Sequence, residues 1–370
     1  MTDTRNNRSA VLIPVLAALV LAGIWLAALP RSDTEATTLV VYCAHDRIFA
    51  EDVLNDFTRQ TGIRVQTRFD TEATKSLGLI NLIVQESASP RCDVFWNNEL
   101  LGMVELQQQG LLEAYRGSGW NRIPERFRDA EGFWVGFAAR LRVTIFNVHQ
   151  VAVSEETFHT LLSLEPARAA MAKPLFGTTL THYTVLWHLW GGERLKSWHR
   201  DLRLRGLREL DGNAAVKDIV ARGTCDAGLT DTDDVFVALD DGLHVEMLPV
   251  RIFVDEGTSA DATTPAEPSQ PSQPSQPHYT VCIPNTVGII KGTQKLTAAQ
   301  RLVDFLASAE TELALAKSKA RQIPLGEVDT SLIPMEVQNL TAWSREGIDL
   351  RGLLPARREC LEWLKTEYLK

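Results

Sequence analysis

Residues 38–70 read TLVVYCAHDRIFAEDVLNDFTRQTGIRVQTRFD. The stretch opens with an apolar, β-branched run at 38–42, which predicts a strand. Phe49, Val53 and Phe57 then recur every fourth residue, which predicts an amphipathic helix that ends at Gly62. Residues 63–70 alternate apolar and polar side chains, as a second strand would. A strand–helix–strand unit of this length is typical of a parallel sheet, so the stretch indicates an α/β fold.

The same alternation continues along the chain. Further strands are predicted at 92–96, 225–230 and 281–290, and helices near 77–84, 99–110, 180–190, 194–204, 214–222 and 297–317, with a helical tail. Residues 133–146 form one long β-like stretch, which we interpret as the point where the chain leaves one lobe for the next. The pattern therefore predicts two α/β units in succession.

The N-terminus carries an export signal of one of two kinds. Residues 11–29 have no charged side chain and follow Arg5 and Arg8. As a helix they would span about 28 Å, close to the thickness of a bilayer core. An uncleaved transmembrane anchor and a cleaved signal peptide both remain open, and either predicts that the rest of the chain works outside the cytoplasmic membrane.

Composition excludes several classes of protein. The chain has 370 residues and a formal net charge of −9, so nucleic acid is not an expected partner.

Its five cysteines include no CxxC pair, although a disulfide between Cys225 and Cys282 is one option that the sequence leaves open. Residues 262–278, rich in Pro, Ser and Gln, predict an extended, solvated loop.

Polar side chains follow the predicted strands, where ligands of open α/β sheets bind. We expect the ligand contacts to be Cys43, His45, Asp46, Thr71, Glu72, Asn97, Asn98, Glu99, Gly177, Thr178, Thr179, Asp231, Thr232 and Asp233. Hydroxyl and small residues at helix starts favour an anion. Carboxylates beside a histidine favour a hard cation instead.

Each of these residues also has a purely structural interpretation. Thr71, Thr178 and Asp211 are suitable N-caps for helices. Cys43 suits a small buried site, and residues 231–234 suit a solvated turn. Trp187, Trp190 and Trp198 have the spacing of packing residues on helices.

Catalysis finds little support in the sequence. The chain has no GxSxG elbow, HExxH motif or phosphate-binding P-loop. Cys43 and His45 are two residues apart on a predicted strand and so share a face, which makes an exported hydrolase a remote alternative.

Several segments taken together identify a family. Their order and spacing resemble those of extracellular solute-binding proteins of ABC importers, in the ferric-iron-binding branch. The segments are VVYCAHD at 40–46, DVFWNNE at 93–99, PLFGTT at 174–179, LTDTDD at 229–234, IPNTV at 283–287, LVDFL at 302–306 and RQIPL at 321–325. The resemblance covers residues 38–330.

The resemblance implies a two-lobed periplasmic-binding-protein type II fold, with each lobe a mostly parallel sheet flanked by helices. It implies a first lobe at 38–141 and 285–370, a second lobe at 142–284 and a separate segment at 1–37. It also implies that crossing strands join the lobes, which close on a ligand, and that the closed form docks on a membrane permease.

By family position, His45 and Glu99 match a histidine and a carboxylate that hold ferric iron. Asp231 and Asp233 complete the expected metal set. They stand where the family has two adjacent tyrosines, and this loop has none. The carboxylates therefore suit Fe(III), another cation or a cationic organic molecule, and Thr178 and Thr179 suit an accompanying anion.

We expect a substrate-binding component of an ABC importer that is monomeric, is not an enzyme and has no resident cofactor. Fe(III) or an iron complex is the expected cargo. The alternative is a membrane-tethered ligand sensor or docking module of the same fold.

Overall fold

The computed structural model describes residues 37–70, 76–254 and 277–368. Thr38–Lys370 forms one compact unit. The predicted anchor or signal segment at 11–29, the candidate contacts Thr71 and Glu72, and all but the last two residues of the loop at 262–278 lie outside the described ranges. Within those ranges, no helix has both the length and the apolar character that crossing a bilayer requires.

The first part of the chain alternates strands and helices, as the sequence predicts. In order, the elements are β1 (Thr38–Cys43), α1 (Arg47–Thr61), β2 (Arg64–Phe69), α2 (Leu77–Gln85), β3 (Val94–Asn97), α3 (Leu101–Gln108), β4 (Leu112–Glu113), α4 (Ser118–Arg122) and β5 (Val135–Asn147). Strands β2 and β3 flank β1 and run parallel to it. Gly62 ends α1 in the left-handed conformation (φ 73°), which confirms its predicted role.

The second part repeats the alternation and then returns to the first. Its elements are α5 (Glu155–Leu164), β6 (Ala169–Ala172), α6 (Gly177–Trp190), α7 (Gly192–Leu204), β7 (Arg208–Leu210), α8 (Asn213–Ala221), β8 (Ala227–Asp231), α9 (Thr232–Asp240), β9 (Val245–Pro249), β10 (Ile252–Phe253), β11 (His278–Tyr279), β12 (Cys282–Ile290), α10 (Leu296–Leu306), α11 (Ala309–Lys317), α12 (Met335–Arg345) and α13 (Leu354–Tyr368).

Strand β5 is shared by the two lobes. Its first half, Val135–Leu141, pairs antiparallel with β12, and its second half, Arg142–Asn147, pairs with β8 and β9. The main sheet therefore has the strand order β2-β1-β3-β12-β5-β8-β6-β7. The long β-like stretch predicted at 133–146 is this strand, and it passes from one set of partners to the other.

Helices cover both faces of the sheet. Leu39, Val41 and Cys43 of β1 belong to one apolar cluster with α1 and α10, whereas Tyr42 and Ala44 belong to another with α2 and α3. Because successive strand residues point to opposite faces, one strand contributes to both clusters. This arrangement leaves the ends of the strands as the place where polar loops meet.

Four structural interpretations of the sequence need correction. Residues 231–234 are not a solvated turn, because Asp231, Thr232 and Asp233 are buried. Thr178 and Asp211 are not N-caps, because α6 is flanked by Phe176 and α8 by Gly212. Thr178 instead bonds to a buried carboxylate, and Asp211 pairs with Lys173. The Cys225–Cys282 disulfide is not formed, since all five cysteines are buried free thiols.

Candidate functional site

A cleft of about 270 Å³ lies where loops from both parts of the chain meet. Its first wall comes from the loops after β1 and β3, which contribute Asp46 and Asn98. Its second wall comes from the starts of α6, α8 and α9, and β5 supplies Arg140 between the two walls. Both parts of the chain therefore contribute to one cavity.

Four helices begin at this cleft. Arg47, Gly177 and Asn213 are the first residues of α1, α6 and α8, and all three line it. Helix α9 begins at the buried Thr232, and its next two residues, Asp233 and Asp234, line the cleft. The first turn of a helix has unpaired backbone N–H groups and a partial positive charge. The cleft is therefore suited to hold negative charge.

A buried network fixes the second wall. Arg142 Nη1 donates to Asp231 Oδ1 at 2.7 Å, and Thr178 Oγ1 donates to Asp231 Oδ2 at 2.6 Å. Asn213 Nδ2 donates to the same Oδ2 at 2.9 Å. Burial raises the pKa of Asp231, but Arg142 and Arg140 lower it more, so its pKa lies below the ordinary value. Asp231 is therefore ionised and ties the starts of α6, α8 and α9 to β5.

Arg140 is a buried cation in the lining of the cleft. Its Nε lies 3.4 Å from Asp231 Oδ2 and 3.8 Å from Asp233 Oδ2, and its Nη2 donates to the Asn98 carbonyl at 2.6 Å. Burial lowers the pKa of Arg140, but the charges of Asp233 and Asp231 raise it more, so its pKa lies above the ordinary value. Among the described residues, its buried Nη1 has no hydrogen-bond partner, which leaves a donor for a ligand.

Three carboxylates cluster beside Arg140. One oxygen each from Asp231, Asp233 and Asp234 lies within 4.8 Å of the others. Thr230 Oγ1 donates to Asp234 Oδ2 at 2.8 Å and so fixes one of them. Carboxylate oxygens at this spacing are ligands that hard cations prefer. The cleft thus offers an acidic cluster and an anion-binding surface side by side.

Seven of the expected contact residues line this cleft: Asp46, Asn98, Gly177, Thr178, Thr179, Asp231 and Asp233. Five others, Cys43, His45, Asn97, Glu99 and Thr232, are buried and are not among its lining residues. Thr71 and Glu72 lie outside the described ranges. Of the expected metal ligands, the structure therefore brings Asp231 and Asp233 together in the cleft, and it holds His45 and Glu99 elsewhere.

His45 packs into the first lobe. Its ring centroid lies 5.5 Å from that of Trp96 and 5.6 Å from that of Phe49. Its Nε2 lies 3.2 Å from Nε2 of Gln322. The Cys43 thiol donates to the backbone carbonyl of His45 at 3.7 Å, a contact between a thiol and a peptide group.

Glu99 organises the start of α3. Its carboxylate accepts from the backbone N–H groups of Leu101 at 2.6 Å and Gly102 at 2.7 Å, and from Asn97 Nδ2 at 3.1 Å. A Cβ on Gly102 would come 2.2 Å from Ile80 Cδ1 and 2.5 Å from Glu99 Oε1, so a larger residue here would displace these side chains. The arrangement satisfies two of the N–H groups that a helix start leaves unpaired.

The expected contacts omit several residues that line the cleft, among them Asp234 and Lys173. Arg140, Arg142, Lys217 and Asn213 were not among the expected contacts, although Arg140, Lys217 and Asn213 line the cleft and Arg142 lies behind it. One signal was present, because Arg140 and Arg142 are the only charged residues at 133–146 and their spacing of two places them on one face. A buried strand carries charged side chains only where other groups pair with them.

This fold and site define a two-lobed solute-binding protein. The family described as "Bacterial extracellular solute-binding protein" matches residues 39–318, about three quarters of the chain. The chain belongs to this family, which consists of binding and transport components rather than enzymes.

One curated relative and two solved structures are similar to this chain, the structures in fold. The chain is 23% identical over 214 residues to the Fe(3+)-binding periplasmic protein of Serratia marcescens, covering 57% of this chain and 62% of that protein. The chain thus spans about three fifths of the length of the curated relatives it matches. Iron-bound HitA from Pseudomonas aeruginosa has a TM-score of 0.69 at 20% identity, covering 89% of this chain and 99% of that one. AfuA from Actinobacillus pleuropneumoniae with fructose-6-phosphate bound has a TM-score of 0.70 at 18% identity, covering 90% and 98%.

Proposed function

We propose that this protein captures a small solute outside the cytoplasmic membrane and delivers it to an ABC permease. The family and the cleft support the capture step, because loops from both parts of the chain face one cavity. We assign the first lobe to 38–141 and 285–370 and the second to 142–284. The change of partners along β5 between Leu141 and Arg142 supports this boundary.

The proposed cargo is ferric iron together with an anion. The observation that carries this proposal is the acidic cluster of Asp231, Asp233 and Asp234 directly beside the anion-binding surface of Arg140 and the helix starts. Fe(III) prefers hard oxygen ligands, and an anion would balance its charge and contact the free donors. Relatives named for ferric-iron binding support the same choice. Fe(III) would be transported cargo and not a resident cofactor.

A second candidate cargo is an organic phosphate without iron. Two observations favour an anionic solute over a bare cation. Among the described residues, Nη1 of Arg140 has no hydrogen-bond partner, and Asp231 is already ion-paired with Arg142. Lys173 and Lys217 add positive charge to the same cleft. The structural neighbour with bound fructose-6-phosphate has the same fold.

The sensing alternative uses the same cleft. A protein tethered through residues 11–29 would report occupancy to a membrane partner instead of delivering cargo. The monomeric state and the membrane tether are parts of the proposal. Uptake of radiolabelled solute by cells with and without this protein separates delivery from sensing.

Calorimetric titration of the purified protein tests the cargo. The probes are ferric citrate, inorganic phosphate and fructose 6-phosphate, and elemental analysis of the protein as purified gives its iron content. For an iron cargo, we expect Asp233→Asn to weaken ferric citrate binding at least about tenfold, since it removes a charged ligand. We also expect Lys217→Gln to weaken the binding of inorganic phosphate. Asp241→Asn, an exposed position just beyond α9, is the matched control and leaves both affinities unchanged.

The outcomes separate the candidates. Tight phosphate or sugar-phosphate binding that Asp233→Asn leaves intact favours the organic-phosphate cargo. Absence of heat with all three probes, together with no co-purified iron, contradicts both.

A further inference from the structure

A second cavity lies in the second lobe. Its volume is about 120 Å³, and its lining shares no residue with the cleft. His182, Leu186 and Trp190 line it from α6, where a spacing of four places them on one face. Strands β5, β8 and β9 close the opposite side through Phe146, Leu229 and Leu248, among others.

The walls of this cavity are aromatic and aliphatic. Phe146 and Phe158 meet edge to face with centroids 6.4 Å apart, and Trp190 and Trp198 do so at 5.6 Å. The charged groups at its rim already neutralise one another, because Arg251 pairs with Glu155 and lies 3.5 Å from Glu346. The cavity therefore favours an uncharged apolar occupant over an ion.

Among the residues that line the cavity, His182 is the titratable side chain that is buried, and Thr144 is also polar and buried. His182 is 3% exposed, and its Nδ1 is buried with no hydrogen-bond partner in the described part of the chain. A buried polar atom without a partner costs free energy unless a ligand or water satisfies it. Burial, together with repulsion from Arg142, lowers the pKa of His182 to about 3. The imidazole is therefore neutral near pH 7 and has one donor and one acceptor nitrogen.

We propose that this cavity binds a small neutral aromatic molecule with a hydroxyl group, of the phenol class, that hydrogen-bonds His182. A cavity of about 150 Å³ with similar walls holds one benzene ring, so the volume here suits a single ring. A phenolic hydroxyl both donates and accepts, so it satisfies Nδ1 in either tautomer. The aromatic side chains supply edge and face contacts to the ring.

The cavity also lies close to the solute cleft. His182 is one helical turn beyond Thr178 on α6, and Thr178 donates to Asp231 in the cleft network. The charges of Arg142 and Asp231 both act on the His182 ring. An occupant of the cavity therefore contacts the same helix that forms one wall of the cleft.

Titration of the purified protein with phenol and with benzene, followed by calorimetry and ligand-observed NMR, tests this proposal. We expect phenol to bind more tightly than benzene by about fivefold, the effect of one net hydrogen bond. His182→Phe removes that preference and keeps benzene binding. Leu162→Trp, which fills the cavity from α5, abolishes binding of both.

A matched control lies on α5, the helix that also carries Leu162. Leu164 is 74% exposed and does not line the cavity, so Leu164→Trp leaves both affinities unchanged. Failure of phenol to bind the unmodified protein overturns the proposal. So does equal binding of phenol to the Leu162→Trp and Leu164→Trp proteins, a comparison that holds even where His182→Phe fails to fold.

Discussion

Arg142 and Asp231 lie directly opposite each other in the antiparallel register of β5 and β8, and their side chains form a buried ion pair of 2.7 Å. Both are almost completely inaccessible to solvent. Arg142 is the first residue of β5 to pair with β8, and Asp231 is the residue before α9. The pair therefore fixes the cleft wall to the strand shared by the two lobes.

Removal of the arginine should destabilise the fold. Arg142→Met leaves Asp231 buried with only the more distant Arg140 as a cation, so we expect a loss of about 3 kcal/mol in the free energy of unfolding. Urea unfolding followed by circular dichroism measures it. Lys173→Met breaks the exposed pair with Asp211 and should cost no more than about 1 kcal/mol. Equal losses in the two variants would show that burial does not govern the Arg142 pair.

Glu99 should support structure and not bind solute directly. Glu99→Gln places an amide against backbone donors at the start of α3, and we expect it to cost about 1–3 kcal/mol in unfolding free energy. Its affinity for ferric citrate should stay within about twofold of the unmodified protein. A tenfold loss of ferric affinity at unchanged stability would instead make Glu99 a metal ligand, as the family resemblance implies.

Stability should fall on acidification through His182. Its pKa is lowered to about 3 in the folded protein, so between pH 6.5 and 3 the unfolded chain binds a proton that the folded one does not. The unfolding free energy therefore decreases as pH falls through this range, by up to about 1.4 kcal/mol per pH unit for this group. In urea unfolding at pH 4–7, His182→Gln should reduce the slope of unfolding free energy against pH by up to the equivalent of one bound proton. An unchanged slope would mean that His182 is already protonated in the folded state.

Backbone strain is present at one position of the crossing strand. Ala138 has φ 41°, and its N–H donates to Glu312 Oε1 at 2.8 Å opposite the register shift at Pro284/Asn285. Left-handed backbone costs a non-glycine residue about 1 kcal/mol, so Ala138→Gly should be neutral or stabilising. Ala139→Gly, at a neighbouring position whose φ is not positive, should destabilise by about 1 kcal/mol. Thermal unfolding of the two variants compares them, and equal losses would contradict the strain.

Much of the fold was predictable from local patterns. Phe49, Val53 and Phe57 predicted α1, Gly62 predicted its end, and the stretch at 133–146 predicted β5. These features follow from periodicity and turn chemistry, which neighbouring residues determine.

The site was predictable only in part. Sequence reasoning found the loops at Asp46, Asn98 and Thr178 because the ends of parallel strands meet at one edge. It missed Arg142, because the register that sets it against Asp231 joins residues 89 positions apart. It placed Glu99 in the metal set on the family resemblance alone, and it did not consider the local bonds of Glu99 to backbone N–H groups two and three residues further along the chain.

A measurement of the distance across the cleft tests directly whether the solute is captured between the lobes. Spin labels at Glu51→Cys and Asp218→Cys would sit on α1 and α8, two helices that begin at the cleft, where the native side chains are 55% and 43% exposed. The five native cysteines are buried. Double electron–electron resonance would be recorded without solute, with gallium(III) citrate as the diamagnetic stand-in for ferric citrate, and with phosphate. If the lobes close on the solute, a solute that binds shifts the distance distribution to shorter values. A solute that binds by calorimetry and leaves this distribution unchanged would contradict capture between the lobes.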